Sequence, residues 1–207
     1  GDGNDTIEVS GETQYQNGSD VVLIGKIYGG SGNDLIDLST TSVSPTGSVL
    51  RGSGSDEGLF GNEGDDTIIG SSSNDGLISG GSGNDTLDGG LGEDILYGNE
   101  GDDTFLASGG NDVIYGGAGI DTFNVDSGTD TITDITVNDI LVIASGAVAN
   151  VTDVAAFKAN SSTYSNGELT LISTNAGANI DLSQSGSGNF NITGGTGDDT
   201  LTGGTGN

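Results

Sequence analysis

The stretch GGLGEDILYGNEGDDTFLASGGNDVIYGGAGIDTFNV, residues 89–125, sets an aspartate at Asp94, Asp103, Asp112 and Asp121, one every nine residues. Two residues after each comes a large apolar side chain: Leu96, Phe105, Ile114 and Phe123. Stacking keeps two such columns in phase, whereas a glycine–serine linker or a solvated acidic run has no reason to.

The same unit precedes this stretch as GNEGDDTII (61–69), GSSSNDGLI (70–78) and GGSGNDTLD (80–88), adding Asp66, Asp75 and Asp85. Looser copies are GDGNDTIEV at the start, YQNGSDVVL (15–23), GGSGNDLID (29–37), RGSGSDEGL (51–59) and VDSGTDTIT (125–133), with Asp5, Asp20, Asp34, Asp56 and Asp130. The spacings of 15 and 14 residues between Asp5, Asp20 and Asp34 break the register. The apolar column extends to Ile68, Leu77, Leu87 and Ile132, with single-residue insertions at Phe60 and Ser79 and with Gly58 in the apolar place after Asp56.

The consensus is G-G-x-G-x-D-x-U-x, with U large and apolar. Glycines accept positive φ, so the first six residues bend sharply and turn carbonyls inward. Aspartate adds a hard carboxylate oxygen, completing the kind of donor set calcium takes. The last three residues make a short strand whose alternation puts U on one face. Two units form one coil with turns on alternate edges, so residues about 18 apart become neighbours along the stack. One edge then carries Asp66, Asp85, Asp103 and Asp121, and the other Asp56, Asp75, Asp94, Asp112 and Asp130.

In these motifs the chain resembles the RTX calcium-binding repeat family, most densely over 61–124 and more loosely over 1–133 and 194–207. The resemblance implies an all-β fold, a calcium-bound parallel β-roll or right-handed β-helix, with each ion shared between two successive turns of one edge. The implied pairs are Asp66/Asp85, Asp85/Asp103, Asp103/Asp121, Asp56/Asp75, Asp75/Asp94, Asp94/Asp112 and Asp112/Asp130, about seven ions in the regular roll. The implied metal ligands also include Asp5, Asp20, Asp34 and Asp199. Turn carbonyls come from Gly61, Gly64, Gly80, Gly81, Gly83, Gly89, Gly90, Gly92, Gly98, Gly101, Gly110, Gly116, Gly117 and Gly119. Ser73 stands for the turn glycine before Asp75, and the turn before Asp130 keeps only Gly128.

Composition agrees with conditional folding. There are 31 acidic residues against three basic ones, 41 glycines and a formal net charge of -28, so a compact neutral-pH fold would repel itself unless cations bind. Nucleic acid and acidic membrane surfaces are poor partners for want of a basic patch. Histidine and cysteine are absent, which removes the commonest bases and thiol nucleophiles as well as disulfides. No catalytic role is expected, because repeat spacing accounts for the paired carboxylates. Ice binding is disfavoured because the third turn position, Glu63, Ser72, Ser82, Leu91, Glu100, Gly109 and Ala118, lacks a threonine row.

Beyond the regular roll (61–133) the texture changes. Residues 1–60 read as a degenerate start with a loop insertion at 37–50. Residues 134–183 read as a small mixed cap with one helix at 151–160 and an Asn-Gly turn between strands in YSNGELTLI (164–172). Residues 184–207 read as the start of a second, truncated roll, with Phe190 in the aspartate place of SGSGNFNIT (185–193). The chain begins inside one repeat and stops inside another, as a fragment of a longer protein would. Ile78, Tyr97 and Tyr115 form an outward column that could dock a partner.

The resemblance also implies export through the type I secretion machinery, with folding on extracellular calcium. The leading expectation is a secreted surface protein of S-layer or adhesin type, touching neighbouring copies or further rolls. The alternative is the folding module of an RTX protease, lipase, epimerase or haemolysin. No membrane insertion by this chain is expected.

Overall fold

A three-residue strand has too few hydrogen bonds and too little apolar surface to persist alone, so a chain of such strands must stack them. The computed structural model, which describes residues 2–8, 26–38, 58–72, 74–152, 156–158, 164–165, 168–173, 178–183 and 189–203, shows that stack. All of its described regular structure is strand, and the pairings are parallel.

An eight-stranded sheet takes Thr6–Glu8, Leu35–Asp37, Thr67–Ile69, Thr86–Asp88, Thr104–Ala107, Thr122–Val125, Ile140–Ile143 and Tyr164–Ser165 in chain order. A nine-stranded sheet takes the alternate strands, Lys26–Ser31, Gly58–Glu63, Ile78–Ser82, Ile95–Glu100, Val113–Ala118, Thr129–Ile132, Val148–Val151, Glu168–Ile172 and Asn189–Thr193. The chain therefore crosses between sheets at each turn, which is the topology of a parallel β-solenoid.

Two apolar columns meet inside. Ile36, Ile68, Leu87, Phe105, Phe123 and Leu141 line one sheet, and Leu59, Ile78, Leu96, Ile114, Ile132, Val151 and Leu171 the other, all fully buried in one cluster. Phe105 and Phe123 stack with ring centroids 5.1 Å apart. Each such side chain contributes roughly 1.5–3 kcal/mol on full burial.

The register corrects the reading of both insertions. Leu59, not Gly58, fills the apolar place after Asp56, and Ile78, not Leu77, fills it after Asp75; the two pair with each other and both are buried. The extra residues therefore precede Leu59 and Ile78 in the chain. With two apolar residues adjacent, only the neighbouring strand decides which faces inward. Ser79, not Ile78, consequently shares the outward column with Tyr97 and Tyr115, whose rings stack at 4.3 Å. In the same column Tyr28 stacks on Phe60 at 5.2 Å.

The stack also runs on where a cap was expected. Ile140–Ile143 lies on Thr122–Val125, Val148–Val151 on Thr129–Ile132, and Glu168–Ile172 on Val148–Val151. The expected helix at 151–160 is not formed by its described residues, whose regular structure is strand. Val151 ends one strand, and Ala156–Lys158 pairs with Asn179–Asp181 in a further three-stranded sheet; residues 153–155 and 159–160 lie outside the described residues. Alternation explains this, since Ala149, Val151 and Phe157 are buried as inward-facing strand residues. Likewise Tyr164–Ser165 and Glu168–Ile172 belong to different sheets, so no hairpin joins them. Asn189–Thr193 adds to the nine-stranded sheet. Residues 39–50, most of the expected loop insertion, lie outside the described residues.

Candidate metal centre

Each six-residue turn ends on its aspartate, and stacking brings these side chains into two files. On one edge the backbone N–H of each aspartate donates to the Oδ1 of the next: Asp66 to Asp85 at 2.8 Å, Asp85 to Asp103 at 2.8 Å and Asp103 to Asp121 at 3.0 Å. On the other, Asp75 donates to Asp94 at 2.6 Å, Asp94 to Asp112 at 3.0 Å and Asp112 to Asp130 at 2.9 Å. Six of the seven pairs expected from the sequence are thus adjacent; Asp56 and Asp20 lie outside the described residues.

The first file is longer than the spacing suggested. Asp5 donates to Asp34 at 2.7 Å and Asp34 to Asp66 at 2.7 Å, across 29 and 32 residues. It also ends later, with Asp121 donating to Asp139 at 2.9 Å. Asp139 was not anticipated because its turn, Asp134–Asp139, contains no glycine. The signal available was its place 18 residues after Asp121, followed by the strand Ile140–Ile143.

The second carboxylate oxygen is what the fold leaves unmet. The Oδ2 atoms of Asp34, Asp66, Asp85, Asp94, Asp103, Asp112 and Asp130 are buried without a hydrogen-bond partner. A buried, unpaired carboxylate oxygen is costly. A Cβ on Gly61 would run into both Asp66 Oδ2 and the Gly80 carbonyl, and one on Gly98 into both Asp103 Oδ2 and the Gly116 carbonyl. Oxygens of adjacent turns therefore approach the same small space, with no side-chain hydrogen-bond donor reaching those Oδ2 atoms, an arrangement that repels itself unless a cation joins it. A Cβ on Gly80, Gly89, Gly116 or Gly194 would likewise run into the Oδ2 of Asp85, Asp94, Asp121 or Asp199.

The other turn glycines shape the bend. At the fourth place, Gly64, Gly83, Gly92, Gly101, Gly110 and Gly119 all have positive φ, as do Gly81, Gly90 and Gly117 at the second. Asn62 and Asn99 adopt it at the second place too, which asparagine tolerates better than most side chains.

Electrostatics agrees. Burial, reinforced by neighbouring aspartates and opposed by the backbone N–H bond, pushes Asp85, Asp121 and Asp130 up to about 7 and Asp94 up to about 8. Burial likewise takes Asp103 and Asp112 up to about 6. Hard oxygens that resist charging alone are suited to a hard divalent cation. Among the described residues no three acidic side chains form one group. A cation between turns would therefore draw on turn carbonyls besides the aspartates.

Two turns satisfy their carboxylates differently. Ser71 donates its N–H to Asp75 Oδ2 at 2.7 Å and its hydroxyl to Asp75 Oδ1 at 3.2 Å. In the glycine-free turn Thr136 N–H donates to Asp139 Oδ2 at 2.6 Å. Asp134 there accepts from Gly116 N–H at 2.8 Å and Gly117 N–H at 3.0 Å. Past Asp130 the second file turns apolar, since Asp130 pairs with Ala149, Ala149 with Leu169 and Leu169 with Phe190.

At Asp199, Oδ1 accepts from Ala178 N–H at 2.9 Å, so that turn sits one coil beyond a place with no carboxylate.

A family model described as the RTX calcium-binding nonapeptide repeat (4 copies) matches residues 26–39, 51–80, 60–96, 76–105, 97–132 and 175–207. Comparison with curated proteins and with solved structures gave no match. With the model covering more than half of the chain, and its matches falling on the turns that carry the aspartate files, the chain belongs to the RTX calcium-binding nonapeptide repeat family.

Proposed function

We propose that this chain is a structural module that folds on meeting extracellular calcium, within a secreted cell-surface protein of S-layer or adhesin type exported by type I secretion. The observation that carries the calcium reading is the set of seven buried, partnerless Oδ2 atoms. Asp34, Asp66, Asp85 and Asp103 on one edge, and Asp94, Asp112 and Asp130 on the other, would hold about seven ions together with turn carbonyls. A bound ion supplies positive charge between turns, and because the unfolded chain has no such site, binding free energy becomes folding free energy. Where calcium is scarce the net charge of -28 keeps the chain open, and ~millimolar calcium closes it. The surface-protein reading is supported by a stack that continues past its acidic files into apolar coils, as a long multi-coil protein would. No catalytic role is proposed.

Circular dichroism at pH 7.5 tests the calcium reading: coil in chelator and cooperative gain of β-structure on adding calcium. Equal β-content in both conditions would end it.

Asp75, closed by Ser71, is expected to contribute no ion in the native chain. Ser71→Gly removes the hydroxyl bond to Oδ1 and lets the second place take the positive φ seen at Gly81, Gly90 and Gly117, which turns the residue-71 N–H away from Oδ2, so calorimetric calcium stoichiometry should rise by one. An unchanged stoichiometry would show that the Ser71 bonds do not displace the ion.

A further inference from the structure

Beside the buried aspartate files runs an exposed one that the calcium chemistry does not use. It is formed by the residue just before each aspartate. Asn33 N–H donates to Asn4 Oδ1 at 3.1 Å, Asp65 to Asn33 at 3.1 Å, Asn84 to Asp65 at 2.8 Å, Asp102 to Asn84 at 2.8 Å and Ile120 to Asp102 at 2.7 Å. On the other edge Glu93 donates to Asn74 at 3.0 Å and Thr129 to Asn111 at 2.9 Å.

The direction matters. In the buried files each N–H reaches forward to the next turn, whereas here each reaches back to the preceding one. Two successive amides of a turn therefore grip both neighbours. The reach suits Asn and Asp: their Oδ1 spans the gap between stacked strands, ~4.8 Å. Glu93, one methylene longer, holds no bond from the Asn111 N–H among the described residues. Ile120 has no acceptor to offer, and the file stops there, before Asn138.

We propose that these exposed residues, Asn33, Asp65, Asn84 and Asp102 on one edge and Asn74 and Asn111 on the other, are positioning residues that hold each turn in register for the aspartate that follows. A solvated surface residue would make its substitution neutral, within the usual small surface effect. Here the side chain orients the amide next to a buried carboxylate, so its loss loosens the site through the backbone. The proposal rests on the calcium-driven folding reading for what the turns are held ready to do.

Amide hydrogen exchange on the folded chain in saturating calcium reads the file residue by residue. In the native protein the Asp102 and Ile120 amides, though on exposed turns, should be protected, while the Asn138 amide exchanges at least about tenfold faster. Asn84→Leu should free the Asp102 amide by a similar factor and lower Tm by about 2–4 °C. Asn84→Asp, which keeps the acceptor, should restore both. Ile120→Asn should extend the file and slow the Asn138 amide. Equal exchange at Asp102 in the Leu and Asp variants, or a fast Asn138 amide in Ile120→Asn, would overturn the proposal. A chain that proves folded without calcium tests the file equally well, and then only the calcium reading falls.

Discussion

In chelator the protein is expected to lack β-structure at pH 8 and to regain it on acidification to about pH 5. Burial holds the carboxyls of Asp85, Asp121 and Asp130 at about 7, Asp94 at about 8, and Asp75, Asp103 and Asp112 at about 6, all above their ordinary value of 3.8. Between pH 3.8 and these raised values the folded chain binds more protons than the unfolded one, so stability falls as pH rises. The protons' contribution is full below pH 3.8 and is lost as pH climbs through 6 to 8. Protons thus stand in for calcium by removing the charge that calcium would balance. With calcium present the sign reverses for binding: an ion must displace protons, so the calcium midpoint should rise on going from pH 8 to pH 6, by roughly tenfold per pH unit for each proton displaced. Circular dichroism in chelator across pH 5–8, with calcium titrations at both ends, checks both halves. Equal spectra at pH 5 and pH 8 in chelator would refute the first half, and a pH-independent calcium midpoint the second.

The interval of nine made the inward columns and the two aspartate files legible before any coordinates, because period and chemistry coincide from Asp66 to Asp130. Where they part, the sequence is ambiguous for physical reasons. Asp5 and Asp34 join the file although 29 and 32 residues separate successive members, since membership is set by which turns stack and not by the number of residues between them. Leu77 and Ile78 are equally apolar, and only pairing with Leu59 and Leu96 selects Ile78 for the core. The run VAAF is compatible with either period, and the parallel pairing of Ala156–Lys158, with Phe157 buried beside Ile180, resolves its described part as strand. Asp134 and Asp139 were hidden by the absence of glycine, because their turn closes on backbone N–H groups instead. Ser71, at the second glycine place of its repeat, is a hydrogen-bond donor to Asp75. The exposed Asn and Asp file was visible as a preference at the fifth place of the repeat, but a sequence cannot show which way an amide points.

Gly98→Ala should be strongly destabilising. Gly98 is not among the glycines with positive φ, so alanine meets no backbone strain there and the penalty is purely one of space. That space is where Asp103 Oδ2 and the Gly116 carbonyl approach from successive turns. A methyl group there must push apart two oxygens that belong to different coils, which costs about 1–3 kcal/mol as overpacking and also removes the room an ion would occupy. In saturating calcium Tm is expected to fall by roughly 5–10 °C and calorimetric stoichiometry by at least one ion. Gly203→Ala supplies the comparison, because a Cβ there meets nothing within 4 Å and should change neither quantity. If the two variants behaved alike, the cradle between Asp103 and Gly116 would be ordinary packing space rather than a cation site. If Gly98→Ala alone lost an ion while its chelated, low-pH form kept its native stability, the glycine would be required for the ion and not for the stack. That split would separate the two demands the repeat places on its first residue.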